Sequence, residues 1–424
     1  MNEEWGGTMY DLLVKNVRYL HGEGTFDVGC LHGEIKKIGK INDTAETMID
    51  GSGHVIVPPF IETHIHLDTA LTYQDIANES GTLYEGIQLW NDYRQSMTEE
   101  DVIDRARNVI YQMIAKGVLS IRVMIDVSSP SLLGLRALLK VKKEVASTID
   151  IQLIAFPQNG IVSSEIGVQQ LEKALELGVD GISAVPHLED TNEKGQESLA
   201  ICFAMAIEKN VFVHIFCDET DDPDSKFIET VAALAIETRL YERVSVSHVN
   251  AMNYYNDAYV QKLLNLLVAS KVNVVTCPLI NTVMQGRLDS YPKGRGITRV
   301  KELNACGVNV ACAHDDFMSP FYPFGTGSML TAVNMLLHLA HMTGQQDFKD
   351  GLNMITYNAA KVLGLSNYGI NVCHPASFLL IKGTDEHDII RRVPTPRYVI
   401  RGGEIVSETI PEKTIMFSQT TSEL

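Results

Sequence analysis

The sequence predicts an α/β fold, namely a (β/α)8 TIM-like barrel joined to a small β-sandwich domain that is built from both termini. In the middle of the chain, short apolar segments alternate with helix-like segments, and eight such units over roughly 260 residues match the arithmetic of a (β/α)8 barrel. Both ends of the chain instead consist of short β-like pieces broken by glycine. No glycine-rich phosphate-binding fingerprint follows an early strand, which disfavours the rival doubly wound sheet.

The terminal pieces define the predicted domain boundaries. The start of the chain contains "DLLVKNVRYL", "FDVGCLHGEIKKIG" and "GHVIVPP", and the end contains "ASFLLIKG" and "RYVIRGGEIV". Strands at both ends around a different middle predict one small β domain assembled from the two termini. We therefore predict that residues 1–57 and 369–424 form the two parts of the sandwich and that residues 58–368 form the barrel.

Eight apolar segments of the middle region are the candidate barrel strands. Helix-like segments separate them, such as "TEEDVIDRARNVIYQMIAKG" and "IGVQQLEKALELG", and each of these two ends on a glycine that suits a helix C-cap. The candidate strands are Ile61–His66, Ser120–Val127, Asp150–Gln158, Gly181–Glu189, Val211–Glu219, Arg243–Val249, Asn273–Leu279 and Asn309–Asp316.

Composition restricts the partners and the location of the protein. The 424 residues carry a formal net charge of −18, and such a surface repels nucleic acid and anionic membranes. The seven cysteines are scattered and lack any C-x-x-C pair, so they predict reduced thiols without a disulfide framework or a zinc knuckle. No apolar run approaches the roughly 18 residues of a membrane span. We expect a cytoplasmic protein with no nucleic-acid partner and no membrane partner.

Ionisable and amide side chains recur where the candidate strands end, and in this kind of barrel catalytic groups lie at the C-terminal ends of the strands. A simple core would place Val, Ile or Ala at these positions. Convergence on one rim is stronger support for a site than any single residue. The strand-end residues are His64, His66, Asp126, Gln158, His187, Glu189, Glu219, His248, Asp315 and Asp316.

The segment "ETHIHLD" predicts a pair of metal ligands. Side chains two apart on a strand share a face, so His64 and His66 point the same way, roughly 6.6 Å apart at Cα. Asp315 ends the eighth strand, which neighbours the first in a closed barrel, so its carboxylate is expected beside the histidines. The alternatives are a polar histidine pair without a metal and, for Asp315 or Asp316, a helix N-cap.

Two further strand ends carry groups with an alternative interpretation. "SVSHVNAM" places His248 at the end of the sixth strand, where it is either a site residue or an interior histidine. "FPQNG" places Gln158 after the third strand, and its amide offers both a donor and an acceptor. The alternative for Gln158 is an ordinary loop residue.

Several stretches together resemble the bacterial cytosine deaminases of the amidohydrolase superfamily. They are "PPFIETHIHLD", "SGTLYEGI", "AFPQNGI", "CDETDD", "TVAALA", "SHVNAM", "QGRLDSYPKGRGITRVKE", "HDDF" and "GLNMIT". The resemblance runs from about Pro58 to Ile355, and the terminal β pieces fit as well. It implies a metal-dependent barrel with a β-sandwich, often in a homo-oligomer. It also implies hydrolytic loss of ammonia from cytosine to give uracil, a reaction of pyrimidine salvage.

Carried over position by position, the resemblance implies a metal centre with one divalent ion, iron or zinc. His64 and His66 would hold the ion, with Asp315 as a further ligand. The metal would lower the pKa of a bound water toward neutrality and so make hydroxide available as the nucleophile. His248 would orient that water, and Glu219 would shuttle protons to the ring nitrogen and then to the departing ammonia.

The resemblance also implies how a small heterocyclic base would be bound. Gln158 would contact the pyrimidine carbonyl and the adjacent N–H, and Asp316 would lie on the substrate side of the metal. Phe321 falls where cytosine deaminases can carry a tryptophan, so we expect it to pack near the substrate ring in a somewhat altered pocket.

Two positions depart from the family pattern. The fifth strand of the family carries His-x-x-Glu, with that histidine as a metal ligand, and this chain has Phe216 at the ligand position and His214 one layer deeper. On the second strand, Met124 stands where close relatives are expected to carry histidine. A benzyl group offers no lone pair, and a layer of roughly 6.6 Å cannot be absorbed in a shell with distances near 2.0–2.1 Å.

These departures leave three interpretations open. The metal persists on His64, His66 and Asp315 with water or His248 completing the shell; or the fifth strand slips and brings His214 to the metal; or the protein is a metal-poor, catalytically impaired paralogue. A further alternative keeps the reaction but changes the substrate to another heterocycle, such as isoguanine or an ammelide-like triazine.

Overall fold

The computed structural model describes residues 9–20 and 22–412, and its first structural unit is a sheet formed by the N-terminal segment. Four strands form this sheet in the order β3-β2-β1-β4, with β1 and β4 parallel and the other pairs antiparallel. The strands are β1 (Tyr10–Val17), β2 (Phe26–Leu31), β3 (Glu34–Gly39) and β4 (Ala45–Asp50).

A second four-stranded sheet combines the two ends of the chain. A strand from the N-terminal part, β5 (His54–Val57), pairs antiparallel with β14 (Phe378–Lys382), which continues to β15 (Tyr398–Arg401) and β16 (Glu404–Glu408). This sheet confirms the predicted sandwich built from both termini. The boundaries after residues 57 and 368 stay predictions, and residues 1–8, 21 and 413–424 of the predicted domains lie outside the described residues.

Side chains of the second sheet alternate between its two faces with a period of two, and both faces are buried. Ile56, Phe378 and Leu380 pack with residues of the first sheet in one cluster. Val57 and Leu379 belong instead to the large core that includes the barrel. The sheet is therefore the middle layer between the first sheet and the barrel.

Eight strands form the barrel, in the order of the sequence and parallel throughout. A bridge between Ile65 and Asp315 joins the last strand to the first and closes the barrel. The predicted barrel is confirmed, and six of its eight strands are shorter than the candidate segments. They are β6 (Phe60–Ile65), β7 (Val118–Asp126), β8 (Asp150–Phe156), β9 (Gly181–Ile182), β10 (Phe212–Cys217), β11 (Val244–His248), β12 (Asn273–Thr276) and β13 (Val310–Cys312).

Helices surround the barrel, and local sequence explains their ends. Thr98 and Asp101 form a capping box at the start of α2, and Gly178 ends α4 with a left-handed φ of 90°. The helices are α1 (Leu83–Tyr93), α2 (Glu99–Ala115), α3 (Leu133–Glu144), α4 (Gly167–Leu177), α5 (Asn192–Lys209), α6 (Phe227–Thr238), α7 (Asp257–Ser270), α8 (Pro278–Met284), α9 (Val300–Ala305), α10 (Met329–Leu339), α11 (Gln345–Met354), α12 (Tyr357–Leu363) and α13 (Glu386–Arg392). Short 3-10 helices span Pro186–Leu188, Tyr241–Arg243 and Asn250–Tyr254.

The sandwich lies beside the N-terminal ends of the barrel strands. Arg401 at the end of β15 forms an ion pair with Asp150, the first residue of β8. A Cβ added to Gly117, just before β7, would lie 2.7 Å from a side-chain carbon of Leu379, so this position requires glycine. The C-terminal ends of the strands are therefore left free for a site.

Candidate metal centre and active site

The eight predicted site residues converge at the C-terminal ends of the barrel strands. A recess there encloses about 560 Å³, part of it open to solvent. His64 lies fully buried below the recess, and its ring centroid is 5.3 Å from that of His66. The other seven line the recess: His66, Gln158, Glu219, His248, Asp315, Asp316 and Phe321.

His64, His66 and Asp315 form a buried cluster of potential metal ligands. One ligand atom of each lies within 4.8 Å of the others. The Nε2 atom of His64 is 3.7 Å from Oδ2 of Asp315, and the Nε2 atom of His66 is 3.8 Å from Oδ1. A tetrahedral shell with bonds of 2.0–2.1 Å places its ligand atoms about 3.3 Å apart, so these two histidine–aspartate pairs need inward movements of only a few tenths of an ångström.

Unsatisfied polar atoms in this cluster show that it fits a cation. Among the described residues, no hydrogen-bond partner is found for Nε2 of His64, Nε2 of His248 or Oδ2 of Asp315, and all three atoms are buried. Buried polar atoms without partners are costly, and a buried carboxylate without a counter-charge is more so. A divalent cation held by His64, His66 and Asp315 would remove this cost at His64 and Asp315.

Electrostatics keep the ligand atoms of the histidines available. Burial lowers the pKa of His64 well below its usual value, and the nearby His248 and His214 act in the same direction. The imidazole is therefore neutral near pH 7 and keeps a lone pair for a metal. Burial, followed by Asp316 and Glu219, raises the pKa of Asp315 well above its usual value, so a positive charge beside this carboxylate is needed to stabilise its ionised form.

Barrel closure places Asp315 beside the histidines. The backbone N–H of Asp315 donates to the carbonyl oxygen of His64 at 3.1 Å. Asp315 and His248 both adopt a left-handed backbone with φ of 71°. Non-glycine residues pay for this conformation, and such residues cluster at functional sites. The strained backbones turn both side chains from the strand ends into the recess.

Phe216 occupies the space beside the candidate ligands. Its ring stacks on Phe156 with centroids 4.1 Å apart, and its centroid is 4.7 Å from that of His64. Phe216, Phe156 and Met124 belong to one apolar cluster inside the barrel. The two departures from the family pattern, Phe216 and Met124, therefore share a single packing unit.

His214 does not reach the cluster of potential metal ligands. The β10–β11 pairing is regular, with Phe216 opposite Ser247, so the interpretation in which strand five slips is wrong. The Nε2 atom of His214 lies 3.3 Å from Nδ1 of His64, on the side away from Asp315. A partner on the second ring nitrogen commonly orients a metal-binding histidine. His214 is thus a positioning residue for His64.

Glu219 and His248 form a pair at the base of the recess, and Asn281 contacts both. Oε1 of Glu219 is 3.4 Å from Nδ1 of His248, and Nδ2 of Asn281 donates to that nitrogen at 3.1 Å. Because Nδ1 of His248 accepts, its Nε2 carries the proton and points toward Asp315, 3.9 Å away. Burial, followed by Asp316, raises the pKa of Glu219 to about 8, in the range suited to proton transfer near neutral pH.

The residue before Glu219 fixes its backbone. Asp218 is buried, and its carboxylate accepts from the N–H groups of Phe227 and Ile228 at the start of α6 and from the hydroxyl of Ser225. In the "CDE" segment, the two acidic neighbours therefore have different roles. Asp218 anchors the strand end to α6, which leaves Glu219 to face the recess.

The substrate side of the recess is lined by polar and aromatic groups. The hydroxyl of Thr69 donates to Asp316 at 3.3 Å, which holds that carboxylate at the wall. Phe321 packs against α1 so tightly that a Cβ added to Gly86 would lie 2.8 Å from its ring. Trp90 of the same helix also lines the recess and donates to Asp126. These contacts favour a small, flat ligand.

Glu189 is a strand-end residue with a structural task. Its carboxylate accepts from the backbone N–H groups of Ile161, Val162 and Ser163 at 2.7, 3.2 and 2.7 Å. These residues form the loop that follows Gln158. Glu189 therefore supports the loop and does not face the cluster of potential metal ligands.

Replacing Glu189 with alanine is expected to lower the free energy of unfolding by about 2–4 kcal/mol, because three N–H groups lose a charged acceptor. The KM of the enzyme should rise with it, since the loop beside Gln158 loosens. Urea denaturation and steady-state kinetics measure the two effects. Glu193→Ala, at an exposed position in α5, is the control. Unchanged stability in E189A would contradict this task.

The sequence-based search missed one candidate ligand, Cys277. One ligand atom each of His64, His248 and Cys277 lies within 4.8 Å of the others. The signal was present in the sequence, because the seventh strand was the one candidate strand without an assigned polar residue at its end. Burial, followed by Asp315, raises the pKa of the Cys277 thiol well above its usual value when no cation is present.

Comparisons with known proteins agree with this geometry. The chain matches the model of the amidohydrolase family over residues 47–407. It therefore belongs to the amidohydrolase family and is a hydrolase of carbon–nitrogen bonds. In the described part of the chain, no helix combines the length and apolar character that a membrane crossing needs.

Particular relatives narrow the comparison. The crystal structure of 5-methylcytosine deaminase from Klebsiella pneumoniae, liganded with 5-fluorocytosine, is 38% identical and superposes with a TM-score of 0.92, covering 95% of this chain and 99% of that one. N-isopropylammelide isopropyl amidohydrolase of Pseudomonas sp. (strain ADP) is 25% identical over 410 residues, covering 94% of this chain and 97% of the relative. Pterin deaminase of Rhizobium rhizogenes (strain K84 / ATCC BAA-868) is 23% identical, covering 84% and 82%. The predicted resemblance to deaminases of the amidohydrolase superfamily is confirmed.

Proposed function

We propose that this protein is a metal-dependent hydrolytic deaminase of a pyrimidine-type base, with cytosine as the leading substrate and uracil and ammonia as products. The observation that carries the proposal is the buried cluster of His64, His66 and Asp315 at the base of a recess that Glu219 and His248 also line. The 38% identity to a deaminase of a related base over 95% of this chain supports it.

A divalent cation, when bound by His64, His66 and Asp315, supplies Lewis acidity that makes water a competent nucleophile near neutral pH. We propose iron or zinc, because imidazole and carboxylate ligands suit both metals. The pair of imidazole nitrogens and the carboxylate provide three donors of this kind.

The chain's own residues would carry the proton transfers. Glu219 would take a proton from the attacking water and deliver it to the ring nitrogen, and would then take the proton of the hydroxyl on the tetrahedral carbon and deliver it to the amino group, which leaves as ammonia. The Nε2–H of His248 would donate to the oxygen that adds to the ring. Gln158 would accept from the ring N–H and donate to the neighbouring carbonyl, and Asp316 would hold the amino side of the base. Phe321 and Trp90 would enclose its faces.

A second candidate is the same reaction on another heterocycle, such as isoguanine or an ammelide-like triazine. The aromatic stack of Phe156 and Phe216 and the presence of Phe321 in the recess favour an altered pocket. The similarity to N-isopropylammelide isopropyl amidohydrolase and to pterin deaminase supports this candidate. The remaining alternative is a metal-poor, impaired paralogue, which Phe216 at the usual ligand position motivates.

Measurement of released ammonia, or of released alkylamine for the N-substituted ammelide, tests the proposal on protein loaded with zinc or with iron(II). The panel contains cytosine, 5-methylcytosine, isoguanine, an N-substituted ammelide and pterin, and metal content is measured on the same sample. We expect about one metal ion per chain and the highest kcat/KM on cytosine. Turnover of a triazine or purine alone favours the second candidate. Protein without metal and without turnover on any base favours the impaired paralogue.

The surroundings of the protein are part of the same proposal. We propose a cytoplasmic enzyme of pyrimidine salvage that acts on a free base and assembles as a homo-oligomer. The net charge of −18 supports a partner that is neither nucleic acid nor an anionic membrane. Light scattering of the purified protein measures the number of subunits.

A further inference from the structure

Cys277 lies where a barrel site receives its functional groups. It directly follows β12, the seventh strand of the barrel, and precedes the first residue of α8. Its side chain is fully buried. A buried cysteine is commonly a small apolar core residue, so position alone does not make it a ligand.

The surrounding atoms distinguish Cys277 from an ordinary core thiol. Its sulfur belongs to a group of ligand atoms with His64 and His248 that lie within 4.8 Å of one another, and the thiol lies beside the carboxylate of Asp315. Among the described residues, Nε2 of His64, Nε2 of His248 and Oδ2 of Asp315 are buried without hydrogen-bond partners. The Oδ2 atom is 3.7 and 3.9 Å from the two nitrogens. The two groups of potential ligands share His64, so the thiol borders the cluster on the side of His64 and His248.

His64, His66 and Asp315 supply three ligands for the cation, and a tetrahedral shell has a fourth position. Phe216 brings an aromatic ring to the position where the family pattern has a third histidine, and that ring lies 4.7 Å from the ring of His64. His214 contacts the far nitrogen of His64. His248 accepts at Nδ1 from Asn281, so its Nε2 carries a proton and has no lone pair for a metal. Among the residues of the buried groups of potential ligands, the sulfur of Cys277 therefore remains.

We propose that the thiolate of Cys277 is a protein ligand of the resident cation, together with His64, His66 and Asp315. This inference rests on the proposed function, because it needs a resident cation. Two neutral imidazoles, one carboxylate and one thiolate balance the charge of a divalent ion. Thiolate favours zinc or iron(II) over magnesium or calcium, and four protein ligands still allow expansion to five-coordinate zinc. Binding of the cation breaks the S–H bond, and the proton leaves to solvent.

Spectroscopy of the metal-bound protein tests the ligand directly, without an activity assay. Metal-free protein is prepared with a chelator and loaded with cobalt(II), and a separate sample is loaded with zinc. We expect a near-ultraviolet thiolate-to-cobalt charge-transfer band and, by X-ray absorption, one sulfur scatterer at about 2.3 Å from zinc. Cys277→Ser should lose the band and bind zinc at least about 10–100-fold more weakly.

A matched control lies on the next strand. Cys312 lies opposite Thr276, the residue before Cys277, in the pairing of neighbouring strands. Its side chain is as buried as that of Cys277. Cys312→Ser should keep the cobalt band and the zinc affinity. The double variant C277S/F216H should recover zinc affinity without the band, because an imidazole then replaces the lost sulfur. Circular dichroism of each metal-free variant reports folding, and the zinc spectrum of the unaltered protein decides if C277S does not fold.

The possible results separate this inference from the proposed function. A full equivalent of zinc with only nitrogen and oxygen scatterers overturns ligation by Cys277 and leaves the metal-dependent deaminase standing. Protein that binds neither zinc nor cobalt at any accessible concentration overturns both. A sulfur scatterer that disappears in C277S and persists in C312S establishes the ligand, whatever base the enzyme uses.

Discussion

Replacing Glu219 with glutamine is expected to lower kcat of the proposed deamination by about 10²–10⁴-fold, because general acid–base catalysis contributes this much. Glutamine keeps the size of the side chain and the contact with His248, but it cannot take or release a proton. The variant should bind metal and base nearly as the unaltered enzyme does. Steady-state kinetics on the preferred base and metal analysis of the same samples measure these quantities.

The same substitution lowers activity but is expected to stabilise the metal-free protein at the upper end of the pH range. The pKa of Glu219 in the folded, metal-free protein is raised from 4.5 to about 8, so the folded state holds the proton more tightly than the unfolded state. Ionisation therefore costs stability, and the free energy of unfolding falls as pH rises from about 4.5 to about 8. Glu219→Gln removes this dependence. The metal-free variant should gain about 1–3 kcal/mol at the upper end of this range and nothing below its lower end.

Thermal unfolding of the metal-free proteins across this pH range checks the sign. Glu237→Gln, an exposed position on α6, is the control and should change neither activity nor stability. If E219Q keeps kcat within threefold of the unaltered enzyme, Glu219 is not the proton carrier. If it is less stable than the unaltered protein at pH about 8, the buried carboxylate does not carry the cost that its surroundings indicate.

Much of the fold follows from local sequence patterns. Apolar segments of strand length, glycine C-caps such as Gly178, and the alternation of both kinds of element predicted the barrel. The ends of the strands were predicted less well. The fourth strand was expected to reach Glu189 but ends at Ile182, and a 3-10 helix begins at Pro186. Proline cannot donate to the ladder, so the strand could not continue through Pro186 to Glu189 as predicted.

The candidate site was predictable where it depends on the two-residue period of a strand and on the closure of the barrel. Residues two apart on a strand share a face, which placed His64 with His66, and the adjacency of the first and last strands placed Asp315 beside them. The packing of Met124 against Phe216 was not predictable, because it joins strands far apart in sequence. Cys277 was missed because its meaning depends on which neighbouring atoms lack partners.

Replacing Asp315 with asparagine is expected to reduce metal affinity by more than about 100-fold, since loss of a ligand exceeds the 10–100-fold cost of losing a group behind a ligand. The amide keeps the shape of the side chain but removes the negative charge that the cation needs. Activity should fall with metal occupancy. The metal-free variant should nevertheless be more stable than the unaltered metal-free protein, because a buried carboxylate without a counter-charge is replaced by a neutral group.

The neighbouring residue provides the matched comparison. Asp316 is nearly as buried as Asp315 and receives a hydrogen bond from Thr69, but its oxygens do not belong to the ligand cluster. Asp316→Asn should therefore keep metal affinity within a few-fold and lower kcat/KM through weaker binding of the base. Chelator competition measures metal affinity for both variants, and calorimetry measures the stability of the metal-free forms. Equal metal affinity in D315N and D316N would show that the cation is not held at the closing strand of the barrel, because Asp315, in contrast to Asp316, belongs to the ligand cluster with both histidines.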